Sequence, residues 1–360
     1  MIRLLPNWRL TVENDQVSLC APLIRKRVLL QAPDIDQLTK LIASLRLGVE
    51  QHNATDKLSC ETGLPHDFVA DLMGCLSKEG ALTDIATEPI ASVDDDNARS
   101  IFERQLLFFA EFAGPVNSAE SMFRSLRQAR VMVVGLGGLG SWIVAGLLHI
   151  GVGEIVGIDF DHIDVTNLNR QLLYRMQDVG RLKTEAVASY ISESGLPTKF
   201  TSVNGKFTSE ADVLERVRQV DLVFNPFGYS FPSDSDSPFW LISEVCVRTK
   251  TPCLHLGLGA VGPLCVPGET ACMLCAMKSE AFVALLHKST TLRYTHRIQP
   301  SFAPRIGIIS LLACWESARF LAAIDVPPTL RAIIVRDTFD YANDCVINLT
   351  RDLRCGLCRT

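Results

Sequence analysis

Several features that would place the chain in a specialised class are missing from its 360 residues. No apolar core of a signal peptide follows Met1, because the first residues are too polar. No apolar run is long enough to cross a membrane, since glycines, His149 and Glu154 interrupt the stretch from Val131 to Ile158. The sequence therefore predicts a cytoplasmic protein with no membrane partner.

Neither sign of charge dominates the sequence. Lysine and arginine total 35 and aspartate and glutamate 40, which gives a formal net charge of −5. A protein that holds phosphates on a broad basic face needs an excess of cations, so no nucleic-acid partner is expected. The hydrophobic content of 48% is typical of a globular protein, and the length suffices for two domains.

The first eighty residues have a pattern of their own. Trp8–Val12 and Val17–Cys20 alternate as the strands of a hairpin, and Arg27–Leu30 could add a third strand. Two amphipathic helices follow, one beginning near Asp34 and one opened by Pro65. This pattern favours a winged-helix-like unit, and a helical lid or a dimerisation unit is the alternative.

The remaining chain is predicted to form a second, larger domain. An acidic run lies within residues 84–97, which we interpret as a linker between domains at 1–83 and 98–360. From residue 131 to residue 257 strands and helices alternate. That alternation is typical of an α/β, Rossmann-like domain with a parallel sheet and helices on both faces.

A glycine-rich segment joins the first strand of this series to the helix after it. Its glycines are Gly135, Gly137, Gly138 and Gly140. They let the backbone turn tightly and approach a phosphate at the helix N-terminus, and Asp159 at the end of the next strand can accept from ribose hydroxyls. No lysine follows the glycines as a P-loop requires. The segment by itself fits NAD, FAD or ATP.

Two cationic residues narrow the choice of nucleotide. Arg170 lies within the segment Asn167–Gln171, and Lys183 follows it. An enzyme that breaks an α–β phosphate bond needs cations there to offset developing negative charge, whereas a nicotinamide dehydrogenase does not. Their joint occurrence favours ATP.

Together these motifs resemble those of the ubiquitin-activating-like adenylating enzymes (the ThiF, MoeB and HesA type), which include the molybdopterin and thiamin sulfur-carrier activators. The resemblance rests on Gly-x-Gly-Gly-x-Gly, Asp-x-Asp, Asn-Leu-x-Arg-Gln and the later lysine, and covers roughly residues 100–360. It implies ATP-dependent activation of a carboxylate, with Arg170 and Lys183 as catalytic residues. The nucleotide-binding residues that it implies are Gly135, Gly137, Gly138, Gly140, Asp159, Asp161, Asn167, Gln171 and Lys183.

A helix before the glycine motif carries a further resemblance to this family. Glu103–Gln105 resembles the segment whose arginine reaches into the active site of the partner subunit. The resemblance therefore implies a homodimer in which Arg104 is catalytic in trans.

The sequence departs from the family at the expected Mg²⁺ ligand. The family usually has an aspartate just after the strand corresponding to Asp221–Asn225, where this chain has Gly228. The segment Asp234–Phe239 resembles the corresponding motif of the microcin type of member, which makes Asp236 the predicted catalytic Mg²⁺ ligand and Asp234 the second choice. The alternative is that both are ordinary loop acids.

Two Cys-x-x-Cys pairs give the clearest single signal. Cys272 and Cys275 form one pair, and Cys355 and Cys358 the other. Two such pairs make a closed tetrahedral site, which is typical of structural Zn²⁺. A redox pair and simple buried thiols are the alternatives. The other eight cysteines are interpreted as core residues.

The segment from Ala276 to Pro300 contains no cysteine, whereas thioester-forming relatives carry one near there. This indicates adenylation without a covalent enzyme thioester. The whole layout resembles a subgroup of the family, of the microcin and pantocin biosynthetic type, that modifies ribosomally made precursor peptides. It implies that residues 1–83 bind the leader of such a peptide, and that the enzyme activates a glutamate side chain or the C-terminus for modification or cyclisation in antibiotic biosynthesis.

Three other functions stay open at this point. One is adenylation of a sulfur-carrier protein ending in Gly-Gly, and another is a nicotinamide-dependent oxidoreductase. The third is a non-catalytic scaffold with a vestigial nucleotide site, which Gly228 favours.

Overall fold

A computed structural model of the chain divides into two compact units, Met1–Arg124 and Ser125–Thr360. The structure describes all residues except 6–7, 14–15, 22–24, 31–33, 85–95, 115–116, 207–209, 234–236, 258, 291–300, 338–339 and 359–360. In the described part of the chain, no helix has both the length and the apolar character needed to span a membrane.

The first unit combines short strands with helices. Its elements are β1 (Ile2–Leu4), β2 (Arg9–Glu13), β3 (Gln16–Ala21), β4 (Lys26–Leu30), α1 (Ile35–Leu47), α2 (Ala54–Thr62), α3 (His66–Lys78), β5 (Leu82–Asp84), α4 (Asp96–Ile101), α5 (Glu103–Ala110) and α6 (Ala119–Gln128), which crosses the boundary between the units. Strands β2, β3 and β4 form an antiparallel sheet, and β1 pairs with β5. The predicted hairpin and its third strand are confirmed.

Helix α1 shows why the N-terminal helices form where they do. The Asp34 carboxylate accepts hydrogen bonds from the backbone N–H groups of Asp36 and Gln37, which caps the helix. The buried face of α1 consists of Leu38, Leu41, Ile42 and Leu45. These residues pack in the core of the first unit with the fully buried Trp8. The prediction of this helix is confirmed.

The structural division falls later than the predicted linker. Residues 98–124 lie in the first compact unit, whereas the sequence assigned them to the adenylating domain. The reason is packing, because Ala113 joins the core of the first unit and Glu111 pairs with Arg9 of β2. The functional roles of the two domains stay predictions.

The second unit is a layered α/β fold. Its elements are β6 (Arg130–Val134), α7 (Gly138–His149), β7 (Glu154–Asp159), α8 (Lys183–Ser194), β8 (Lys199–Asn204), α9 (Glu210–Val217), β9 (Leu222–Asn225), α10 (Pro238–Thr249), β10 (Cys253–Gly257), β11 (Ala260–Cys265), α11 (Met273–Ala276), α12 (Glu280–Thr290), α13 (Ala303–Leu321), β12 (Ala332–Val335) and β13 (Cys345–Asn348). The α/β fold class is confirmed.

The sheet of the second unit is mixed, and the strands of the predicted alternating series form its parallel part, as expected. Its strand order is β13-β12-β11-β10-β9-β6-β7-β8. The five strands from β8 to β10 pair in parallel, and β11, β12 and β13 extend the sheet in antiparallel fashion. Only a short turn separates β10 from β11, so the chain returns as a hairpin with no crossover helix.

The carboxyl ends of β6 and β7 meet at one edge of the sheet. Sheets of this kind bind their ligands at that edge.

A buried polar network holds the carboxyl end of β9. The Asn225 side chain donates to the Phe239 carbonyl oxygen at 2.9 Å, and Ser243 Oγ lies 2.9 Å from His255 Nε2. His255 Nδ1 lies 3.1 Å from the Pro263 carbonyl oxygen, so it carries the proton of a neutral ring. Burial lowers the pKa of His255 to about 4, which keeps the ring neutral at physiological pH. The network fixes the strand end that leads to Pro226 and Phe227.

Candidate nucleotide-binding site and metal centre

The turn from β6 into α7 has a backbone that only glycine allows. Gly135 has φ of +85°, and a Cβ atom on Gly140 would lie 1.8 Å from the Gly135 carbonyl oxygen. Helix α7 begins at Gly138, so its first N–H groups face the edge of the sheet where β6 ends. A helix N-terminus with bare backbone around it is suited to bind a phosphate.

Asp159 ties this turn to the end of β7. Its carboxylate accepts from the Leu136 backbone N–H at 2.6 Å and from the Asp161 backbone N–H at 2.8 Å. The Tyr174 hydroxyl donates to the Leu136 carbonyl oxygen at 2.7 Å, and burial raises the pKa of Tyr174, so the phenol stays protonated. Asp159 thus has a structural role, and the ribose contact assigned to it stays a prediction.

Two cationic side chains lie beside the turn. Lys183, the first residue of α8, is buried, and its Nζ lies 3.0 Å from Asp161 Oδ2 and 4.0 Å from Asp159 Oδ2. Arg170 is only half-buried and donates to the Thr166 carbonyl oxygen at 2.5 Å. The Trp142 indole N–H donates to the Arg170 carbonyl oxygen, which fixes the Arg170 backbone against α7.

These groups line one cavity of about 1250 Å³ at the carboxyl edge of the sheet. Predicted site residues in its lining are Gly135, Gly137, Gly138, Gly140, Asp159, Asp161, Arg170, Gln171 and Lys183. Eight of the nine nucleotide-binding residues implied by the family resemblance are among them. The structure therefore brings together residues that lie 48 positions apart, from Gly135 to Lys183.

Two of the predicted residues are not among the described residues that line the cavity. The Asn167 side chain accepts from the Asp164 backbone N–H at 3.2 Å in a local capping box and does not line the cavity. Arg104 lies on α5 in the other unit. Asp236 and Asp234 lie outside the described residues.

The cavity also has lining residues that the sequence analysis did not identify. Lys206 Nζ lies 3.9 Å from the centre of the Phe160 ring, in cation–π contact. Phe227, Arg305 and the turn at Gly257 and Gly259 also contribute. A strand followed by Gly257-Leu258-Gly259 was a turn signal, but nothing in the sequence connected it with the glycine motif.

The charge of the described lining favours an anion. Four side chains are cationic, Arg170, Lys183, Lys206 and Arg305, and two are acidic, Asp159 and Asp161. Both carboxylates lie beside Lys183. The excess of cations matches a polyphosphate or a carboxylate ligand.

The four cysteines of the two Cys-x-x-Cys pairs meet in the second unit. All four are buried, and their Sγ atoms lie within 4.8 Å of one another. The Cys272–Cys275, Cys272–Cys355 and Cys275–Cys358 sulfur pairs are 3.7, 3.6 and 3.5 Å apart. Tetrahedral Zn²⁺ with Zn–S bonds near 2.3 Å requires roughly 3.8 Å between sulfurs, so the cluster fits this ion.

The surroundings of the cluster are suited to a metal thiolate site. The Asp352 backbone N–H donates to Cys275 Sγ at 3.5 Å, and the Leu357 backbone N–H donates to Cys355 Sγ at 3.4 Å. Burial raises the pKa of Cys275 to about 11, so this thiol would stay protonated at neutral pH unless a metal displaced its proton. The cluster joins α11 to the C-terminal segment of the chain.

The model of a known protein family matches most of the chain. Residues 102–343 match the ThiF family model. The sulfur carrier protein ThiS adenylyltransferase of Escherichia coli is 26% identical over 208 residues, which are 57% of this chain and 76% of that protein. A tRNA threonylcarbamoyladenosine dehydratase of Haemophilus influenzae is 45% identical over 78 residues, 22% of this chain and 30% of that protein. The chain spans less than a third of the length of the first curated relatives it matches.

Solved structures match the whole chain. Escherichia coli MccB in complex with ATP superposes with a TM-score of 0.74 at 18% identity, covering 99% of each chain. PaaA superposes with a TM-score of 0.72 at 16% identity, covering 96% of this chain and 99% of that one. At these identities the likeness establishes the fold alone.

Proposed function

Because the chain belongs to the ThiF family, we propose that it uses ATP to adenylate a carboxylate of a ribosomally made precursor peptide, which is then modified or cyclised. The observation that carries the proposal is the cavity, where a glycine turn at a helix N-terminus faces Arg170 and Lys183. The helix N-terminus suits phosphates, and the two cations offset the charge that develops when the α–β bond breaks.

The size of the cavity supports a reaction between two substrates. Pockets for single small molecules have volumes of about 300–1,000 Å³, and this cavity has about 1250 Å³. A nucleotide on the glycine turn leaves room for part of a second molecule. Its apolar and aromatic residues, among them Phe227 and Phe302, suit a peptide segment.

Two metal ions complete this proposal. Zn²⁺ at the four-cysteine cluster would be structural, because all four positions of the tetrahedron are filled by protein ligands. Mg²⁺ would accompany ATP, whose phosphates supply most of its ligands. Asp236 stays the proposed protein ligand of Mg²⁺.

The N-terminal unit is proposed to bind the leader of the peptide substrate. In its three-stranded sheet the order is β2-β3-β4, so β2 and β4 are the edge strands among the described residues. An extended peptide can add a strand to such an edge through backbone hydrogen bonds. A related fold, the microcin C7 biosynthetic enzyme MccB, has been solved in complex with N-formylated MccA.

We also propose a homodimer in which Arg104 acts on the partner's site. Arg104 is exposed on α5, and Ile101, Leu107 and Phe108 around it are exposed apolar residues, with Leu107 at 65%. Exposed apolar side chains around a cation are typical of a protein–protein interface with an arginine at its centre.

Mixing two inactive variants tests this arrangement. We expect R104A and R170A each to be inactive as homodimers, and an equal mixture to recover about a quarter of wild-type activity after subunit exchange. Half of the dimers would be mixed, and each mixed dimer would have one complete site. Activity of R104A alone, or no recovery in a mixture shown to exchange subunits, would contradict the proposal.

Substrate-dependent exchange of radiolabelled pyrophosphate into ATP tests the proposed function. The full-length protein is incubated with peptides translated from open reading frames beside its own. Exchange that depends on one of these peptides supports the proposal. Exchange that depends only on a small protein ending in Gly-Gly would show sulfur-carrier adenylation instead, and no exchange with either substrate would contradict adenylation.

A further inference from the structure

The first turn of α13 contacts two glycine turns of the cavity. Ile306 Cδ1 lies 3.1 Å from the position that a Cβ atom on Gly138 would occupy. Arg305 Nη2 lies 3.6 Å from the corresponding position on Gly259. Ile306 thus packs on the glycine turn between β6 and α7. Its neighbour in sequence, Arg305, lies beside the turn between β10 and β11.

Two glycines of the β10–β11 turn line this part of the cavity. Gly257 and Gly259 have φ of +156° and +77°. A Cβ atom on Gly257 would lie 2.4 Å from the Gly228 Cα, and one on Gly259 would lie 3.1 Å from the Arg336 carbonyl oxygen. The close packing demands glycine at both positions.

Adenylation requires two anions to meet in this cavity. A carboxylate must approach the α-phosphorus of ATP, and both carry negative charge. Lys183 lies beside the two described carboxylates of the lining, Asp159 and Asp161, which offset its charge. Arg170 is already assigned to the charge of the breaking α–β bond, so a further cation is needed to hold the incoming carboxylate.

We propose that Arg305 binds the substrate carboxylate that becomes adenylated. The inference rests on the proposed function and deepens it. A guanidinium offers two parallel N–H donors that match a carboxylate, and this pairing fixes the direction of the carboxylate as well as binding it. One carboxylate oxygen attacks the α-phosphorus, the O–P bond forms, and the bond to the β-phosphate oxygen breaks. The products are the acyl adenylate and pyrophosphate, with no change in protons or redox state.

Hydroxylamine trapping tests this role of Arg305. The probes are one pool of tripeptides with a free terminal carboxylate and one pool of amidated tripeptides with a single aspartate or glutamate. Hydroxylamine converts an acyl adenylate to a hydroxamate and AMP, which mass spectrometry detects. The tripeptide with the highest yield is then used alone to measure KM and kcat. Binding of α,β-methylene-ATP, which cannot be cleaved to AMP, is measured separately.

For R305A we expect KM for the tripeptide to rise about 10- to 100-fold, the loss typical of a hydrogen bond between charged groups. Binding of α,β-methylene-ATP should change less than about threefold. R305K should fall between R305A and the wild type, because lysine keeps the charge without the paired donors. R216A, a change at an exposed residue of α9 outside the cavity lining, serves as the control.

The outcomes separate this inference from the proposed function. Hydroxamate from the wild type with an unchanged KM in R305A would overturn the role of Arg305 and leave adenylation standing. If R305A weakened the binding of α,β-methylene-ATP by the same factor as it raised KM for the tripeptide, the role would also be overturned, since Arg305 would then bind ATP. No hydroxamate from the wild type with either tripeptide pool, nor with the peptides translated from the neighbouring reading frames, would overturn the proposed function, and this inference with it.

Discussion

Replacement of Arg170 by alanine is expected to lower the rate of pyrophosphate exchange by about 100- to 1,000-fold. Arg170 lines the cavity beside the glycine turn, and in the proposed reaction its loss would remove a cation that stabilises the charge of the breaking α–β bond. Within the described part of the chain its side chain donates to Thr166 and Asn169, both close in sequence, so the fold should persist. We expect the melting temperature to change by no more than a few degrees.

The neighbouring residue Arg175 provides a matched control. It lies five residues further along the same segment, pairs with Glu193 at 3.0 Å and does not line the cavity. R175A should therefore retain nearly full activity, as expected for an exposed ion pair. If R170A kept wild-type activity with correct folding, or if R175A lost as much as R170A, the catalytic role of Arg170 would be refuted.

Loss of a zinc ligand is expected to have the largest effect on stability. C355S leaves three thiol ligands and disconnects the C-terminal segment from α11. Structural zinc sites contribute many kcal/mol to folding, so we expect the melting temperature to fall by about 10 °C or more. Metal analysis should find one Zn²⁺ per chain in the wild-type protein and much less in C355S.

Cys345 offers the control for this experiment. Its thiol is exposed on β13 and lies outside the cluster, so C345S should keep both zinc and stability. Acidification should release the metal from the wild-type protein, because protons compete for the thiolates as pH falls. A folded wild-type protein that holds no zinc when purified without chelators would contradict the structural role of the cluster.

Much of the second unit followed from sequence because its signals are local. Strands such as Arg130–Val134 are buried apolar runs, and the glycines that follow indicate a tight turn. The antiparallel strands β11 to β13 were not predicted. Strand β11 pairs with β10 across a short turn, but its other partner, β12, lies far along the chain and depends on long-range packing. Helix α2 was missed because its short sequence has little apolar periodicity.

Single residues of the site were also predicted only where the sequence signal is local. Residues in contiguous motifs, such as Arg170 and Gln171, line the cavity as predicted. Asn167 belongs to the same motif but its side chain caps the backbone at Asp164, a local contact that the family motif does not reveal. Arg305 was missed because its only sequence signal is a charge near the start of a helix. Its place beside Gly259 depends on how α13 packs.

The central claim is that a carboxylate attacks the α-phosphate of ATP, and an oxygen-labelling experiment tests it most directly. The peptide that supports pyrophosphate exchange is prepared with ¹⁸O in its carboxylates and incubated with the enzyme, ATP and hydroxylamine. Attack on the α-phosphorus transfers one carboxylate oxygen to the AMP that is released, so we predict AMP with one ¹⁸O atom. Unlabelled AMP, or ADP with ¹⁸O in the inorganic phosphate, would contradict the claim.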